Sequence, residues 1–429
     1  MMVSERTLLC HHERLFSRLI LSMSATTTAA PALVKTPLFL IAGCHASLHW
    51  GLATFYVLLP FIQQELALNY TQTGLLASVV HIASFAVNLP SGALVDVSGK
   101  RLLCQLVSLF LAGAALAGFG LAGEFWMVVL MTAVLAGMNT MWHPAAISFL
   151  SSNYREQRGL ALSFHTVGAS IGDALAPIAV GSCVAILGWQ TAGLVGAGPP
   201  LIAGLLLWFY FAGAKDADAE DASARPKANA QRRSFSEYLD GMGTVLRDAR
   251  VWAVCLLAGL RGTCQVGLRA FVPLYIVNEM GASAVWIGVV LLAFQGTGAL
   301  TTPSAGAVSD RMGRRTVLLA GLLIGGAVVI GMPAITSPLM FAAIAAVAGA
   351  SLLSMRPVIQ GWALDLTPPH LGGSTISMVF AIQALFAAAV PVVSGLAADE
   401  WGIAAAFYLF GGAAFAAAGV AFLVSEPQQ

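Results

Sequence analysis

The chain contains little charge and no excess of either sign. Only 10% of its 429 residues are Asp, Glu, Lys or Arg, whereas soluble domains have about 25%. A water-facing surface needs more polar groups than this, so the scarcity of charge excludes a soluble globular protein. Because 21 basic residues stand against 20 acidic residues, no basic surface for nucleic acid is expected either.

Cysteine frameworks and catalytic motifs are also missing. The six cysteines have neither the spacing of a disulfide framework nor that of a zinc site. No GxxxxGK[ST] segment occurs, which argues against an ATP-driven motor, and no nucleophile with a neighbouring base can be recognised. We therefore expect free thiols, no metal site, no cofactor and no enzymatic activity.

Long apolar runs dominate the chain instead, since 58% of the residues are hydrophobic. A bilayer core about 30 Å thick needs roughly 20 apolar residues per helical span, and twelve such runs occur. They predict an all-α membrane protein whose spans are numbered 1 to 12 in chain order. The predicted spans are residues 38–60, 72–93, 102–122, 125–149, 159–187, 190–213, 250–277, 285–308, 316–336, 338–363, 371–397 and 403–425.

Basic residues are unevenly distributed between the predicted loops. With the N-terminus inside the cell, every Lys and Arg outside the spans falls in a cytoplasmic segment. The external segments contain acids only, namely Glu65, Glu124, Glu279, Asp399 and Glu400. Cytoplasmic loops of membrane proteins are enriched in Lys and Arg, so we expect a multi-pass protein of a bacterial inner membrane with both termini cytoplasmic.

Two hydrophilic segments divide the chain. Residues 1–36 form a predicted cytoplasmic tail, and translation beginning at Met23 is the simpler interpretation of that tail. Residues 214–249 form a predicted cytoplasmic linker between two six-span halves. The predicted halves are residues 37–213 and residues 250–429.

Two similar segments occur half a chain apart. GALVDVSGKR follows span 2, and GAVSDRMGRR follows span 8. His143-Pro144 in span 4 and Arg356-Pro357 in span 10 recur at nearly the same interval. A proline inside a helix removes one hydrogen bond, so both spans are expected to bend there. The repeat predicts a duplicated six-span unit, with a binding site between the halves near the membrane midplane.

The two loops resemble the GxxxDxxGRR signature of the major facilitator superfamily, and the resemblance covers residues 37–425. In the first copy, Val97 and Lys100 depart from it. The resemblance implies two pseudo-symmetric six-helix bundles and a cytoplasmic gate. In this gate glycines let spans 2 and 11, or 5 and 8, approach, and charges latch the helix ends. The predicted gate residues are Gly92, Asp96, Gly99, Arg101, Gly306, Asp310, Arg311, Gly313 and Arg314.

Spans 4 and 5 point to a branch of this family. Gly168, Gly172 and Pro177 lie on a small-residue face of span 5, which is similar to the glycine-proline segment of proton-driven antiporters. The segment MWHPAA around His143 resembles the fosmidomycin-resistance branch. The alternative for span 5 is ordinary packing of small residues between helices.

Ionisable residues inside spans mark the transport path or pair within the bundle. Arg261, Gln265 and Arg269 recur every four residues on one face of span 7, which predicts a stripe that attracts anions. The alternative for Arg269 is that its side chain reaches the membrane surface. Arg356 in span 10 and Gln383 in span 11 are further candidates.

Histidines and one carboxylate are the candidates in the first half. His45 and His49 are four residues apart in span 1, and His81 lies in span 2. Asp173 in span 5 is the candidate proton carrier, and the alternative is a permanent salt bridge to an arginine. The predicted substrate-binding residues are His49, His143, Arg261, Gln265, Arg356 and Gln383.

The family resemblance implies a cavity lined by spans 1, 4, 7 and 10, across which His143 and Arg356 are expected to face each other. The predicted function is secondary transport of a small molecule by alternating access. Proton-coupled export of an amphipathic or anionic compound is preferred. The alternatives are proton-coupled import of an organic anion and a scaffold or sensor that transports little. The expected partners are the substrate, protons and the lipid bilayer, with a monomeric chain and no nucleic acid.

Overall fold

Twelve helices in the described residues 36–154, 157–212, 246–367 and 372–424 of the computed structural model are long and apolar enough to cross a membrane. The helices of spans 1 to 6 are Thr36–Glu65, Tyr70–Ser98, Arg101–Gly120, Phe125–Asn153, Arg158–Leu187 and the pair Trp189–Gly196 with Gly198–Ala212. Those of spans 7 to 12 are Ala249–Asn278, Ala284–Met312, Arg314–Gly331, the pair Pro338–Leu352 with Met355–Asp365, Gly372–Trp401 and Ala404–Leu423.

The predicted number and order of spans are therefore confirmed, and so is the all-α membrane fold. A short 3₁₀ turn, Met332–Ala334, extends span 9. The predicted start at Met23, nearly all of the tail and most of the linker lie outside the described residues.

The two proline positions that the sequence predicts to bend behave differently. Span 4 remains one helix through Pro144, whereas span 10 is divided between Leu352 and Met355, just before Pro357. A proline ring clashes with the carbonyl four residues earlier and cannot donate a backbone hydrogen bond. At the break, the carbonyl oxygen of Leu352 accepts a hydrogen bond from Arg261 of span 7 at 3.4 Å.

The halves meet where span 2 packs on span 11 and span 5 packs on span 8, as the resemblance implies. We call the end of the bundle that carries the two signature loops, residues 92–101 and 306–315, the loop end, and the other the far end. The closest approaches lie toward the far end. A Cβ at Gly395 would overlap the backbone of Tyr70, and one at Gly181 would overlap the carbonyl of Ala284.

Gly92 and Gly306 of the signature loops make no such approach. A Cβ at Gly92 or at Gly306 would meet no atom within 4 Å, so the expectation that these two glycines allow the spans to approach is wrong for this conformation. Gly99 and Gly313 instead end spans 2 and 8 with φ of 65° and 88°. This left-handed backbone is available to glycine without a Cβ clash.

Polar contacts between the halves are found at the far end. The Asp399 carboxylate accepts hydrogen bonds from the backbone amides of Tyr70 at 2.7 Å and Thr71 at 2.9 Å. Asn278 of span 7 donates to Gln63 of span 1 at 2.7 Å. These contacts hold the two halves together at this end.

At the loop end, Arg314 and Arg101 form bonds to groups of their own half. Arg314 pairs with Asp310 at 2.6 Å and with Asp365 of span 10 at 3.2 Å, while Arg101 donates to Ser152 at 3.1 Å. Asp96 and Arg311 are exposed. The predicted charge network is therefore present in the second copy, where it joins span 8, span 9 and span 10.

Candidate functional site

A cavity of about 350 Å³ lies between spans 1, 2, 7, 10 and 11. Four of the six predicted substrate-binding residues line it, namely Arg261, Gln265, Arg356 and Gln383. Its other lining residues are Leu52, Tyr56, Val80, His81, Ser84, Gly262, Val266, Arg269, Ala384 and Ala387. We call this space the arginine cavity. Spans 2 and 11 contribute to it, and span 4, which the resemblance implied, does not.

Span 7 supplies one continuous polar face to the arginine cavity. Arg261, Gln265 and Arg269 are four residues apart and all line it, which confirms that they share one face. Arg261 is 3% exposed, donates to the Gln265 side chain at 2.9 Å and reaches the Leu352 carbonyl. Its Nε atom is buried and has no hydrogen-bond partner in the described part of the chain.

The arginine cavity carries uncompensated positive charge. Within the described residues, neither Arg261 nor Arg356 forms an ion pair. Arg356 is exposed, and its guanidinium lies 5.7 Å from the centre of the Phe380 ring. An unpaired buried cation such as Arg261 is unfavourable in low dielectric, so this arrangement attracts an anion.

Asp173 of span 5 pairs with one of the residues that line the arginine cavity. Its carboxylate pairs with the Arg269 guanidinium at 2.7 Å and with His49 Nδ1 at 3.1 Å. Arg269 also lies 4.9 Å from the centre of the Tyr56 ring. Arg269 thus points into the bundle, and the alternative that it extends to the membrane surface is wrong. The salt-bridge alternative for Asp173 is the arrangement in this conformation.

Four histidines gather beside this ion pair, and we call His45, His49, His143 and His165 the histidine cluster. His45 Nε2 lies 3.3 Å from His143 Nε2, and the His45 ring stacks on the His165 ring with their centres 3.7 Å apart. The Trp142 indole donates to His165 Nε2 at 3.1 Å. The cluster therefore joins spans 1, 4 and 5.

Glycines in span 5 make this gathering possible. A Cβ at Gly168 would overlap the carbonyl of Ala42, and one at Gly172 would overlap that of Ala46. The two helix backbones are thus in direct contact, which places His45 beside the His165 carbonyl at 2.7 Å. The small-residue face of span 5 packs against span 1, as the packing alternative predicts.

The structure separates the predicted substrate residues into two groups. His49 and His143 belong to the histidine cluster, and the lining of the arginine cavity, which contains Arg356, does not include His143. Sequence reasoning missed that Arg269 is the partner of Asp173 and that His165 joins the cluster. The spacing of four residues between Gln265 and Arg269 was the available signal for Arg269. His165 carried no comparable signal.

Twelve spans around a cavity lined by charged side chains define an integral, multi-pass membrane transporter. The chain belongs to the Major Facilitator Superfamily, whose family model matches residues 41–301 and 267–429. The resemblance seen in the signature loops is therefore confirmed. Since the members and structural neighbours found are transporters, the expectation that the chain is not an enzyme is confirmed as well.

Curated relatives are similar at low identity along most of their length. An uncharacterised transporter of this superfamily from Bacillus subtilis is 24% identical, covering 85% of this chain and 88% of the relative. The phosphoglycerate transporter protein of Salmonella typhimurium is 24% identical, covering 82% and 80%. The fosmidomycin resistance protein of Escherichia coli is also 24% identical, covering 80% and 82%, which agrees with the resemblance around His143.

A solved structure has the same fold. The bacterial homolog of the human lysosomal transporter Spinster, in an inward-facing and occupied conformation, matches with a TM-score of 0.74 and 15% identity. The match covers 90% of this chain and 96% of that chain. It supports two pseudo-symmetric six-helix bundles. At this identity it shows the fold alone, so the substrate class is inferred from the geometry of the site.

Proposed function

We propose that this transporter carries a small organic anion by alternating access, in symport with protons. The observation that carries the proposal is the pair of guanidinium groups, Arg261 and Arg356, that line one cavity without a carboxylate partner in the described residues. A guanidinium binds carboxylate or phosphate oxygens with two parallel hydrogen bonds. The cavity volume of about 350 Å³ suits a small molecule.

Neutral groups complete the proposed binding site. Buried polar atoms normally have hydrogen-bond partners, yet Arg261 Nε and His81 Nε2 have none in the described part of the chain. Within the described residues, the Gln383 amide donates to the Ala258 carbonyl at 3.4 Å and to no other group. Hydroxyl or carbonyl oxygens of a polar anion would satisfy these donors. The relation to a phosphoglycerate transporter supports the same substrate class.

Proton coupling follows from the shared guanidinium of Arg269. A bound anion would compete with Asp173 for Arg269, which pairs with Asp173 and also lines the cavity. A carboxylate that loses its cation binds a proton more readily. Substrate binding and proton binding would therefore favour each other, and such coupling is reciprocal. Positive coupling supports symport, whereas antiport requires that substrate and proton exclude each other.

The sequence and the geometry favour different directions of transport. Span 5 favoured export on sequence alone, but packing against span 1 accounts for Gly168 and Gly172. We therefore prefer proton-coupled import of an organic anion. Proton-coupled export of an amphipathic or anionic compound is the second candidate, supported by the similarity to the fosmidomycin resistance protein.

Orientation completes the proposal. We infer a monomer in a bacterial inner membrane, surrounded by lipid, with the loop end and both termini in the cytoplasm, because the basic residues lie at that end. The contacts of Asp399 and Asn278 close the far end. In this orientation the structure corresponds to an inward-facing conformation.

Transport in proteoliposomes tests the proposal. Labelled phosphoglycerate, a hexuronate and sulfoacetate are offered to purified protein under an imposed proton gradient, with maltose as the neutral control. We expect an acidic exterior to drive accumulation of at least one anion and none of maltose. If an acidic exterior instead drives loss of preloaded anion, export is correct. Equal handling of neutral and anionic compounds would contradict the anion proposal.

A further inference from the structure

The histidine cluster holds nitrogen atoms that the proposed anion site does not use. One ring nitrogen of each of His45, His49 and His143 lies within 4.8 Å of one ring nitrogen of each of the other two. His45 and His49 come from span 1, and His143 comes from span 4. The close contact of spans 1 and 5 fixes His45 within this group.

Hydrogen bonds determine which nitrogen of His45 and His143 is protonated. His45 Nδ1 lies 2.7 Å from the His165 carbonyl oxygen, and His143 Nδ1 lies 2.9 Å from the Asn139 carbonyl oxygen. A carbonyl oxygen only accepts, so both Nδ1 atoms donate, and in the neutral imidazole both Nε2 atoms carry lone pairs. These two lone pairs face each other at 3.3 Å. Such an arrangement is repulsive unless a cation lies between them.

The third histidine is oriented in the same way. His49 Nδ1 lies 3.1 Å from the Asp173 carboxylate, which also pairs with Arg269. An ionised carboxylate only accepts, so His49 donates through Nδ1 and keeps its lone pair on Nε2. Histidine ligands of metals usually donate their other ring N–H to a carboxylate or a backbone carbonyl. All three histidines show this arrangement.

We propose that His45, His49 and His143 bind a divalent transition-metal ion of the Zn²⁺ type. Two nitrogens that each lie about 2.05 Å from a tetrahedral zinc are about 3.3 Å apart, which is the separation of the two Nε2 atoms in the structure. Three imidazoles suit zinc, copper or nickel better than magnesium or calcium. His49 would complete the set of three histidine ligands.

The three histidines differ in exposure. His45 is 3% exposed, whereas His49 and His143 are half-buried, so solvent reaches the side of the site that His49 and His143 form. A water molecule from that side would complete four-coordination. Because His49 keeps its bond to Asp173, a bound metal connects to the ion pair with Arg269. The metal proposal stands on the histidine geometry and does not depend on the proposed transport function.

Metal titration of the purified full chain tests this site. The protein is prepared with a histidine-free affinity tag, stripped with a chelator and titrated with Zn²⁺ by calorimetry, then with Co²⁺ while visible absorption is recorded. We expect one saturable ion per chain and the d–d bands of tetrahedral Co²⁺. His45→Gln and His143→Gln should each weaken Zn²⁺ binding at least tenfold. Asp173→Asn should weaken it by about 10- to 100-fold, as loss of an outer-shell partner does.

Control variants separate the site from other histidines and from unfolding. His81→Gln changes a histidine outside the cluster and should bind Zn²⁺ as the wild type does. His49→Gln, at a half-buried position, tests the site if His45→Gln fails to fold, which its melting temperature would reveal. Superimposable Zn²⁺ isotherms for wild type, His49→Gln and His143→Gln would overturn the proposal. So would the lack of a saturable site in the wild type, which would leave a shared proton between His45 and His143.

Discussion

The polar side chains inside the two halves differ in kind. The first half holds histidines that bond mainly to one another and to backbone carbonyls, as His45 does with His143 and with the His165 carbonyl. The second half holds arginines that line a cavity, and two of them, Arg261 and Arg356, lack a counter-ion in the described residues. One ion pair, Asp173 with Arg269, joins the two sets.

This difference indicates different functions for the two halves. An arginine is permanently charged and suits the binding of an anion, whereas histidine changes its charge near neutral pH or binds a metal. The repeat therefore conserves the helix positions and not the chemistry, since His143 and Arg356 occupy equivalent places before a proline. Four substitutions test whether the two halves have different functions.

The largest effect is expected where the two sets meet. Asp173→Asn keeps the shape of the side chain but removes the carboxylate that pairs with Arg269. Proton-driven accumulation should disappear, while exchange of substrate across the membrane persists, because exchange needs no net proton movement. Both are measured in proteoliposomes. Glu124→Gln, which changes a carboxylate whose side chain caps no backbone group of span 4, is the control. Full accumulation by Asp173→Asn would remove Asp173 from the coupling.

Arg261→Gln should weaken anion binding by roughly 10- to 100-fold, since hydrogen bonds to charged groups contribute about 1.5–3 kcal/mol. The Kd of purified protein is measured by calorimetry. Arg250→Gln, which removes an exposed guanidinium paired with Asp248, should bind as the wild type does. Wild-type affinity in Arg261→Gln would show that its guanidinium only supports the Leu352 carbonyl at the break in span 10.

Arg356→Lys keeps the charge and removes the bidentate geometry, so its effect should be smaller, about tenfold in Kd. The same calorimetric titration measures it. If Arg356 only anchors span 10, the Kd should not change. A matched comparison with Arg261→Lys would show whether both guanidinium groups contact the anion.

His143→Gln should change the anion Kd by less than about threefold in metal-free buffer, because sites that share no partner act almost independently. His143 lies outside the lining of the arginine cavity. The measurement is the Kd at neutral pH, with Arg356→Lys as the reference. If His143→Gln weakens anion affinity as much as Arg356→Lys does, His143 is part of the substrate site, as the sequence symmetry predicts.

Much of the candidate site was predictable because span 7 repeats its polar residues at helical spacing. Arg261 and Gln265 were expected on one face and do line the cavity with Arg269. The expected meeting of His143 and Arg356 relied on symmetry alone. Symmetry cannot predict it, because His143 bonds to His45 and to its own helix, whereas Arg356 lies beyond a helix break that span 4 does not have.

The proposed metal site also depends on side-chain contacts between spans that the sequence did not predict. The sequence predicted no metal site, since no cysteine or carboxylate completes a ligand set with the histidines of spans 1 and 2. The third histidine, His143, lies in span 4. The spacing of residues along the chain does not predict that its ring lies beside the rings of His45 and His49.

The twelve spans, the duplicated halves and the family could be predicted from the sequence, because they depend on the length of apolar runs and on local signatures repeated along the chain. Which charged side chains meet became visible only in the folded chain. Asp173 and Arg269 come from different halves, and the histidine cluster unites spans 1, 4 and 5. These pairs depend on how closely the helices pack, as where Gly172 meets Ala46, and helix packing is not encoded by the local sequence.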